Sequence, residues 1–430
     1  MKYIITTVQR GALVNKNLLQ NLRKFAEVHN VDKILTFVQN GRYKDEEHID
    51  KRLVDIEQVD KLTLNSNLRL QDMKILAQQI NPFTGLNMKL SRDFSYILPS
   101  AKIRYESIPS TSKVPRAFMT TGALTHGNYK EHTAQGRKAQ AQHQYGFVFV
   151  EVRNRTIFNA YQVEATKRGD FHYLDEYYRD GKQSYKQPEV IVLGDWHLGD
   201  TNPTVRKKSI KMIEDLKPKV VVFHDIFNGH SINHHEDGHL ISGIKRHKRK
   251  RDSLQKELRE LYREINFFST KFPKIKFVIV ESNHDQFLFK YLDEAMFIGQ
   301  PENFQMSAQI INKLIGSNRP CLEIALGLIG DLPENFKFLI EDEKYRVRGI
   351  ELGQHGHRGV SGSRGTPSQF NRFNLRTITG HTHAPQLLAN CMVVGTSTHL
   401  KLDYTKGASK WNNAHGIVYD DGKYALLTLF

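Results

Sequence analysis

Apolar residues along the chain fall into recognisable patterns. Three continuous blocks, Val190-Ile191-Val192-Leu193, Val220-Val221-Val222-Phe223 and Phe277-Val278-Ile279-Val280, are bounded by polar residues and predict strands buried on both faces. Leu254, Leu258, Leu261, Ile265 and Phe268 recur at three- and four-residue steps, the period of a helix with one apolar face. Nearer the start, Lys2–Gln9 and Lys33–Gln39 predict strands around a helix over Asn15–His29, a βαβ-like opening. No GxGxxG or P-loop lies on that opening, so no nucleotide is assigned to it. Leu68–Ile80 predicts a helix stopped by Asn81-Pro82, and Phe94–Tyr105 predicts further strands. Gly146–Val152 and Thr156–Glu164 predict a hairpin around Arg153-Asn154-Arg155. The polar stretch from Glu176 to Gln187, followed by Pro188, marks the expected boundary between two domains, 1–186 and 187–430. The first is expected to be a separate α/β or α+β domain of unassigned role.

Polar segments follow or adjoin the apolar runs. They are Gly194-Asp195-Trp196-His197, His224-Asp225, Asn283-His284-Asp285, His355-Gly356-His357 and Gly380-His381-Thr382-His383. Three of them fall at strand C-terminal ends, where open α/β sheets place their ligands. Asp, His and Asn are the donors expected around two divalent cations, and such a pair serves phosphoryl transfer. Each segment alone is common in turns and loops. Their order along the chain is the informative feature.

That order, D-x-H, then Asp225, then N-H-D, then a His, then G-H-x-H, resembles the calcineurin-like metallophosphoesterase family over roughly Glu189 to Phe430. In character the resemblance is nearest to double-strand-break repair nucleases and DNA-degrading bacteriophage relatives. It implies a C-terminal four-layer fold, two mixed sheets face to face and flanked by helices. Phe336–Ile340, Tyr345–Leu352, Met392–Gly395 and Tyr424–Phe430 would be its later strands, with Asp420-Asp421-Gly422 as the last hairpin turn. It implies that Asp195, His197 and His383 hold one metal, that Asn283, His355 and His381 hold a second, and that Asp225 bridges them. The implied ions are divalent, Mn²⁺ first, with Mg²⁺, Fe²⁺ or Zn²⁺ as alternatives. His284 would stand beside the scissile phosphate as proton donor or charge stabiliser, and a metal-bridging hydroxide would be the nucleophile. His357 is only a neighbour of the site.

The chain departs from the family pattern at three positions. His224 and Ser282 stand where glycine is usual before the bridging Asp and the Asn. Glycine there would allow positive φ or close approach to the metals. Asn228 stands where a charged partner of the catalytic His is usual, and an amide would orient His284 without adding charge.

Length and charge refine this picture. The 430 residues suffice for two or three domains with their own cores. No apolar stretch approaches membrane-spanning length, and the N-terminal apolar run is too short for a signal peptide. Cys321 and Cys391 offer no disulfide framework, which suggests a reducing, cytoplasmic setting, that of a host cell if the gene is a phage's.

Lys and Arg number 62 against 46 Asp and Glu, a formal net charge of +16. Such an excess beside a phosphoesterase centre points to nucleic acid, DNA first, as partner. Its focus is Ile244-Lys245-Arg246-His247-Lys248-Arg249-Lys250-Arg251, following the His-rich segment His230–His239. Lys248, Arg249, Lys250 and Arg251 are expected to form a phosphate rail, although charge runs are more often solvated helix faces. Arg358 and Arg364, in a Gly/Ser-rich loop after His355, are the other expected substrate contacts. The small-residue stretch Thr120–Tyr129 is a weaker candidate loop.

Three functions compete on this basis: a metal-dependent DNA nuclease, a phosphatase or phosphodiesterase on a small molecule or phosphoprotein, and a non-catalytic nucleic-acid-binding or scaffolding protein. Strand-cutting polarity and homo-oligomerisation are open at this level.

Overall fold

The computed structural model describes the chain apart from residues 42–47, 78, 234–238, 404 and 430. Among the described residues the architecture is mixed α/β, with sheets of eight, six and ten strands.

The six-stranded sheet carries the site. Its order is Phe336–Phe338, Lys276–Ile279, Val220–Phe223, Val190–Val192, Ala414–Val418, Tyr424–Thr428. The first four strands are parallel, and the last two form the terminal antiparallel hairpin. The continuous apolar blocks follow from burial on both faces. Val190 and Val192 join a core with Ile378 and Met392 of the ten-stranded sheet. Ile191 and Leu193 point the other way, into a core with Leu258, Leu261, Ile265 and Phe268. Those four lie on the helix Leu254–Lys271, which begins at the Ser253 cap. Each such Val, Leu or Ile side chain contributes about 1.5–3 kcal/mol when fully buried.

The N-terminal part opens as expected, with Lys2–Gln9 and Lys33–Gln39 paired in parallel around the helix Lys16–Val28. The hairpin Tyr145–Val152 with Phe158–Ala165 extends that eight-stranded sheet.

Three expectations fail. Leu68–Ile80 is not a helix: Leu68–Gln71 is a strand with Leu68 and Leu70 buried, and two-residue alternation prevails over helical spacing there. The expected boundary stretch Glu176–Gln187 is instead largely sheet. Glu176–Arg179 and Lys182–Tyr185 form an edge hairpin, and its polarity reflects an exposed sheet edge.

The N-terminal part is also not a separate domain. Tyr105–Ile108 pairs antiparallel with Gln386–Leu387, so strands from both sides of residue 186 share the ten-stranded sheet. The stretch around Thr120 serves packing: Thr120 to Thr125 are buried, and the Thr7 and Thr121 hydroxyls meet at 2.6 Å. Tyr345–Leu352 is two short paired strands, Arg346–Val347 and Ile350–Glu351.

Candidate metal centre

The polar segments lie side by side because the strand ladder continues into them. Beyond Val190–Val192, the N–H of Leu193 donates to Val222, that of Trp196 to His224 and that of His197 to Asp225. Trp196 is fully buried against Phe223 and Phe268, which anchors the loop between its two polar neighbours. Four residues of the centre adopt positive φ without being glycine: His197 (42°), Asp225 (44°), His381 (72°) and His383 (56°). Such conformations cost on the order of 1–3 kcal/mol each and gather at functional sites.

The unusual backbone therefore sits at Asp225 itself, and His224 needs no glycine. Ser282 caps the helix Asn283–Asp293 in a capping box with Asp285, so its side chain is used as well. Glycine is required at Gly380, where a Cβ would lie 2.1 Å from Asp195 Oδ1.

Seven polar side chains converge. Asp195, His197, Asp225 and His383 offer ligand atoms all within 4.8 Å of one another, and so do Asp225, His355 and His381. Asp225 belongs to both groups. Its Oδ2 lies 3.1 Å from His355 Nε2 and 3.5 Å from His197 Nε2. His383 Nε2 is 3.1 Å from Asp195 Oδ2 and 2.9 Å from His197 Nε2. Asn283 Oδ1 completes the second group, 3.2 Å from His355 Nε2 and 3.0 Å from His381 Nδ1.

The donors suit divalent cations. Asp195 Oδ1 and Asp225 Oδ1 are buried without hydrogen-bond partners, a costly state that ligation would relieve. Burial drives the imidazoles toward the neutral, ligating form: His197 is pushed down to about 3 and His381 to about 4. Burial alone would raise the Asp195 carboxyl, but the hydrogen bond from His383 leaves it below its ordinary value. Asp225 is held well below its ordinary value against burial by His355, His284 and His197. His355 is the exception: burial lowers it, yet Asp225 raises it to about 9, a proton that a cation would displace.

His284 stands at the rim in neither ligand group, its ring 4.6 Å from that of His197. Its Nδ1 is 2.6 Å from the backbone carbonyl of Asn228, which orients the ring. The expected side-chain contact from Asn228 is thus replaced by a main-chain one. The Asn228 amide donates to Asp200 Oδ2 (3.0 Å) and meets His230 Nε2 (2.8 Å). Glu257 accepts from the backbone N–H groups of His230 and Ser231 and pins this loop. His357 lies beside the second group, its ring 5.5 Å from that of His355, with Nε2 3.4 Å from Glu341.

A cleft of about 1220 Å³ opens over the centre, lined by His284, Asn228, Phe287 and Trp411 and by Lys245, Arg246, Arg249, Arg251, Arg364 and Lys401. The expected rail divides. Arg249 lines the cleft and pairs with Asp403 at 2.8 Å. Arg251 braces the Asn228–His230 loop that orients His284, with contacts to Asp200 (2.9 Å), His230 (2.7 Å) and the Gly199 carbonyl (2.8 Å). Lys248 and Lys250 are exposed and do not line the cleft. Arg364 lines it, whereas Arg358 turns to Gln286 and Glu341. Of the His-rich segment, His230 is in the brace, while 234–238 fall outside the described residues.

Asp200, Lys401 and Trp411 escaped the sequence reading, and no spacing singles them out. Trp411 sets its ring 4.2 Å from that of His383. Lys245 and Arg246 were legible only as members of the basic run.

Comparison with known proteins adds one relative. No family model matches the chain. It is similar to Protein A1 of Escherichia phage T5, 28% identical over 470 aligned positions that take in 99% of this chain and 81% of that protein. The crystal structure of Chaetomium thermophilum Vps29 aligns with 40% of this chain and 95% of its own at 11% identity, with a TM-score of 0.22. Among the described residues no helix is long and apolar enough to cross a membrane.

Proposed function

We propose that the chain is a two-metal phosphoesterase of the calcineurin-like kind, with that family's four-layer fold, and that it cuts phosphodiester bonds of nucleic acid, DNA first. The observation that carries this reading is the pair of buried ligand groups sharing Asp225 beneath a basic cleft. Asp195, His197, His383 and Asp225 would hold one divalent cation, and Asn283, His355, His381 and Asp225 the other, with Mn²⁺ the first choice. Such a pair, when bound, supplies Lewis acidity toward phosphoryl oxygens and lowers the pKa of water.

The chain's own residues do the rest. Asn228 accepts from Nδ1 of His284 and so directs Nε2 toward the cleft, where it can hold a proton for the leaving oxygen. Arg246, Arg249, Arg364 and Lys401 meet substrate phosphates along the wall. A cleft of about 1220 Å³ exceeds the usual small-ligand pocket of roughly 300–1,000 Å³, which favours a polymer over a small phosphoester. The similarity to a phage protein supports action in the cytoplasm of an infected host.

The test is digestion of linear and circular, single- and double-stranded DNA, with RNA as control, under Mn²⁺, Mg²⁺, Fe²⁺ or Zn²⁺. Metal-dependent DNA cleavage is expected. Turnover of a chromogenic phosphodiester without any nucleic-acid cleavage would move the assignment to a small-molecule or phosphoprotein esterase. Salt-sensitive DNA binding without turnover of either would leave a non-catalytic binding protein.

A further inference from the structure

A second His/Asp constellation lies at the opposite end of the six-stranded sheet. Val190 pairs with Val418, so the turn after Val418 sits at the N-terminal end of the strands whose C-terminal ends bear the centre. That turn carries Asp420 and Asp421. Facing it is His172, on the strand Phe171–Tyr173 of the eight-stranded sheet. His172 Nε2 is 3.1 Å from Asp420 Oδ1 and 3.9 Å from Asp421 Oδ2.

The local chemistry is that of a site awaiting an ion. His172 is only 4% exposed, and neither of its ring nitrogens has a hydrogen-bond partner. The short contact to Asp420 Oδ1 is not aligned as a hydrogen bond, and that oxygen is itself buried and unpartnered. A buried imidazole normally satisfies at least one nitrogen. The ring is held between Tyr419, stacked at 4.5 Å and 7°, and Tyr177 at 4.6 Å. Each carboxylate uses one oxygen elsewhere and leaves the other for the shared point. Asp420 Oδ2 pairs with Lys186 at 2.6 Å, and Asp421 Oδ1 accepts the Lys423 N–H at 2.9 Å. Ligands about 2.0–2.1 Å from a tetrahedral ion stand roughly 3.4 Å apart, between the two distances observed here.

We propose that His172, Asp420 and Asp421 form a divalent-cation site, separate from the phosphoesterase centre, that takes a zinc-class ion and clamps the eight-stranded sheet to the terminal hairpin. One imidazole and two carboxylates suit Zn²⁺, which the general affinity order favours over Mn²⁺. The ion would tie Phe171–Tyr173 to the hairpin turn across the two halves of the chain, alongside the Tyr161–Tyr419 hydroxyl contact at 2.6 Å.

The test compares the full-length protein with Asp421→Asn after equilibration with Zn²⁺ and removal of free metal. Asp421→Asn keeps the oxygen that accepts from Lys423 and lies at the solvent edge, so the fold should persist. One zinc equivalent fewer is expected in the variant, and the rise in Tm that Zn²⁺ gives the parent should shrink. His172→Gln should lose the same equivalent. Repeating the comparison in an Asp225→Ala background keeps the readout independent of how many ions the main centre holds. Equal zinc content and equal Tm shifts in parent and both variants would overturn the proposal.

Discussion

His415 couples the fold to the centre in a way that pH should expose. It is fully buried in the strand Ala414–Val418. Its Nδ1 accepts the Gly194 N–H at 2.8 Å, and its Nε2 meets Ser209 Oγ at 2.7 Å. The ring can accept at Nδ1 only while neutral, and burial pushes its pKa down from 6.5 to about 4. The unfolded chain therefore takes up this proton at a higher pH than the folded one. Stability from this group is whole above about pH 6.5 and is lost as pH falls toward 4. The slope is about 1.4 kcal/mol per pH unit, and the total roughly 3 kcal/mol.

Because Gly194 precedes Asp195, protonation would also loosen the first ligand group. His415→Asn places an amide oxygen where Nδ1 was and does not titrate. Urea unfolding at pH 7, 6 and 5 in chelator should show the parent losing stability faster than the variant, by about that slope. His143 and His224, which burial also pushes down to about 4, act in both proteins and cancel in the difference. Parallel pH dependences for parent and variant would refute the assignment of a neutral, accepting His415.

Four further outcomes are expected. Asp225→Ala should lose both cations by metal analysis, because its Oδ2 serves both groups; His383→Ala should chiefly weaken the first and His381→Ala the second, and full occupancy in Asp225→Ala contradicts a shared ligand. His284→Ala should keep metals and fold while turnover falls by roughly 10²–10⁴, so an unchanged rate means that His284 neither donates a proton nor stabilises charge. Neutralising Arg246 and Arg249 together should reduce the salt slope of duplex DNA binding by roughly 1.8, about 0.9 per phosphate contact, and Lys248 with Lys250 should matter little; equal effects from the two pairs count against the cleft wall. Arg251→Ala should lower kcat on DNA and on a small phosphodiester alike, since it braces the Asn228 loop; a loss confined to DNA would return it to phosphate contact.

Local pattern determined much of this protein. The continuous apolar blocks announced strands buried on both faces, because a strand between a helix layer and a second sheet meets apolar neighbours on either side. The residues that converge at the centre were legible because strand ends in such sheets place polar side chains together.

Tertiary structure alone decided what depends on contacts between distant segments. The pairing of Tyr105 with Leu387 merges the two halves into one sheet, and no local period encodes a partner 282 positions away. Leu68–Ile80 has apolar residues that fit a helix, yet pairing on both sides, with Lys61–Asn65 and Ser95–Leu98, claimed its first turn as a strand. The run Lys245–Arg251 is uniform in charge, but the fold gives its members different work: Arg249 faces the cleft, Arg251 braces a loop, and Lys248 faces solvent. Asn228 likewise supports His284 through its carbonyl, an atom every residue possesses and no sequence distinguishes.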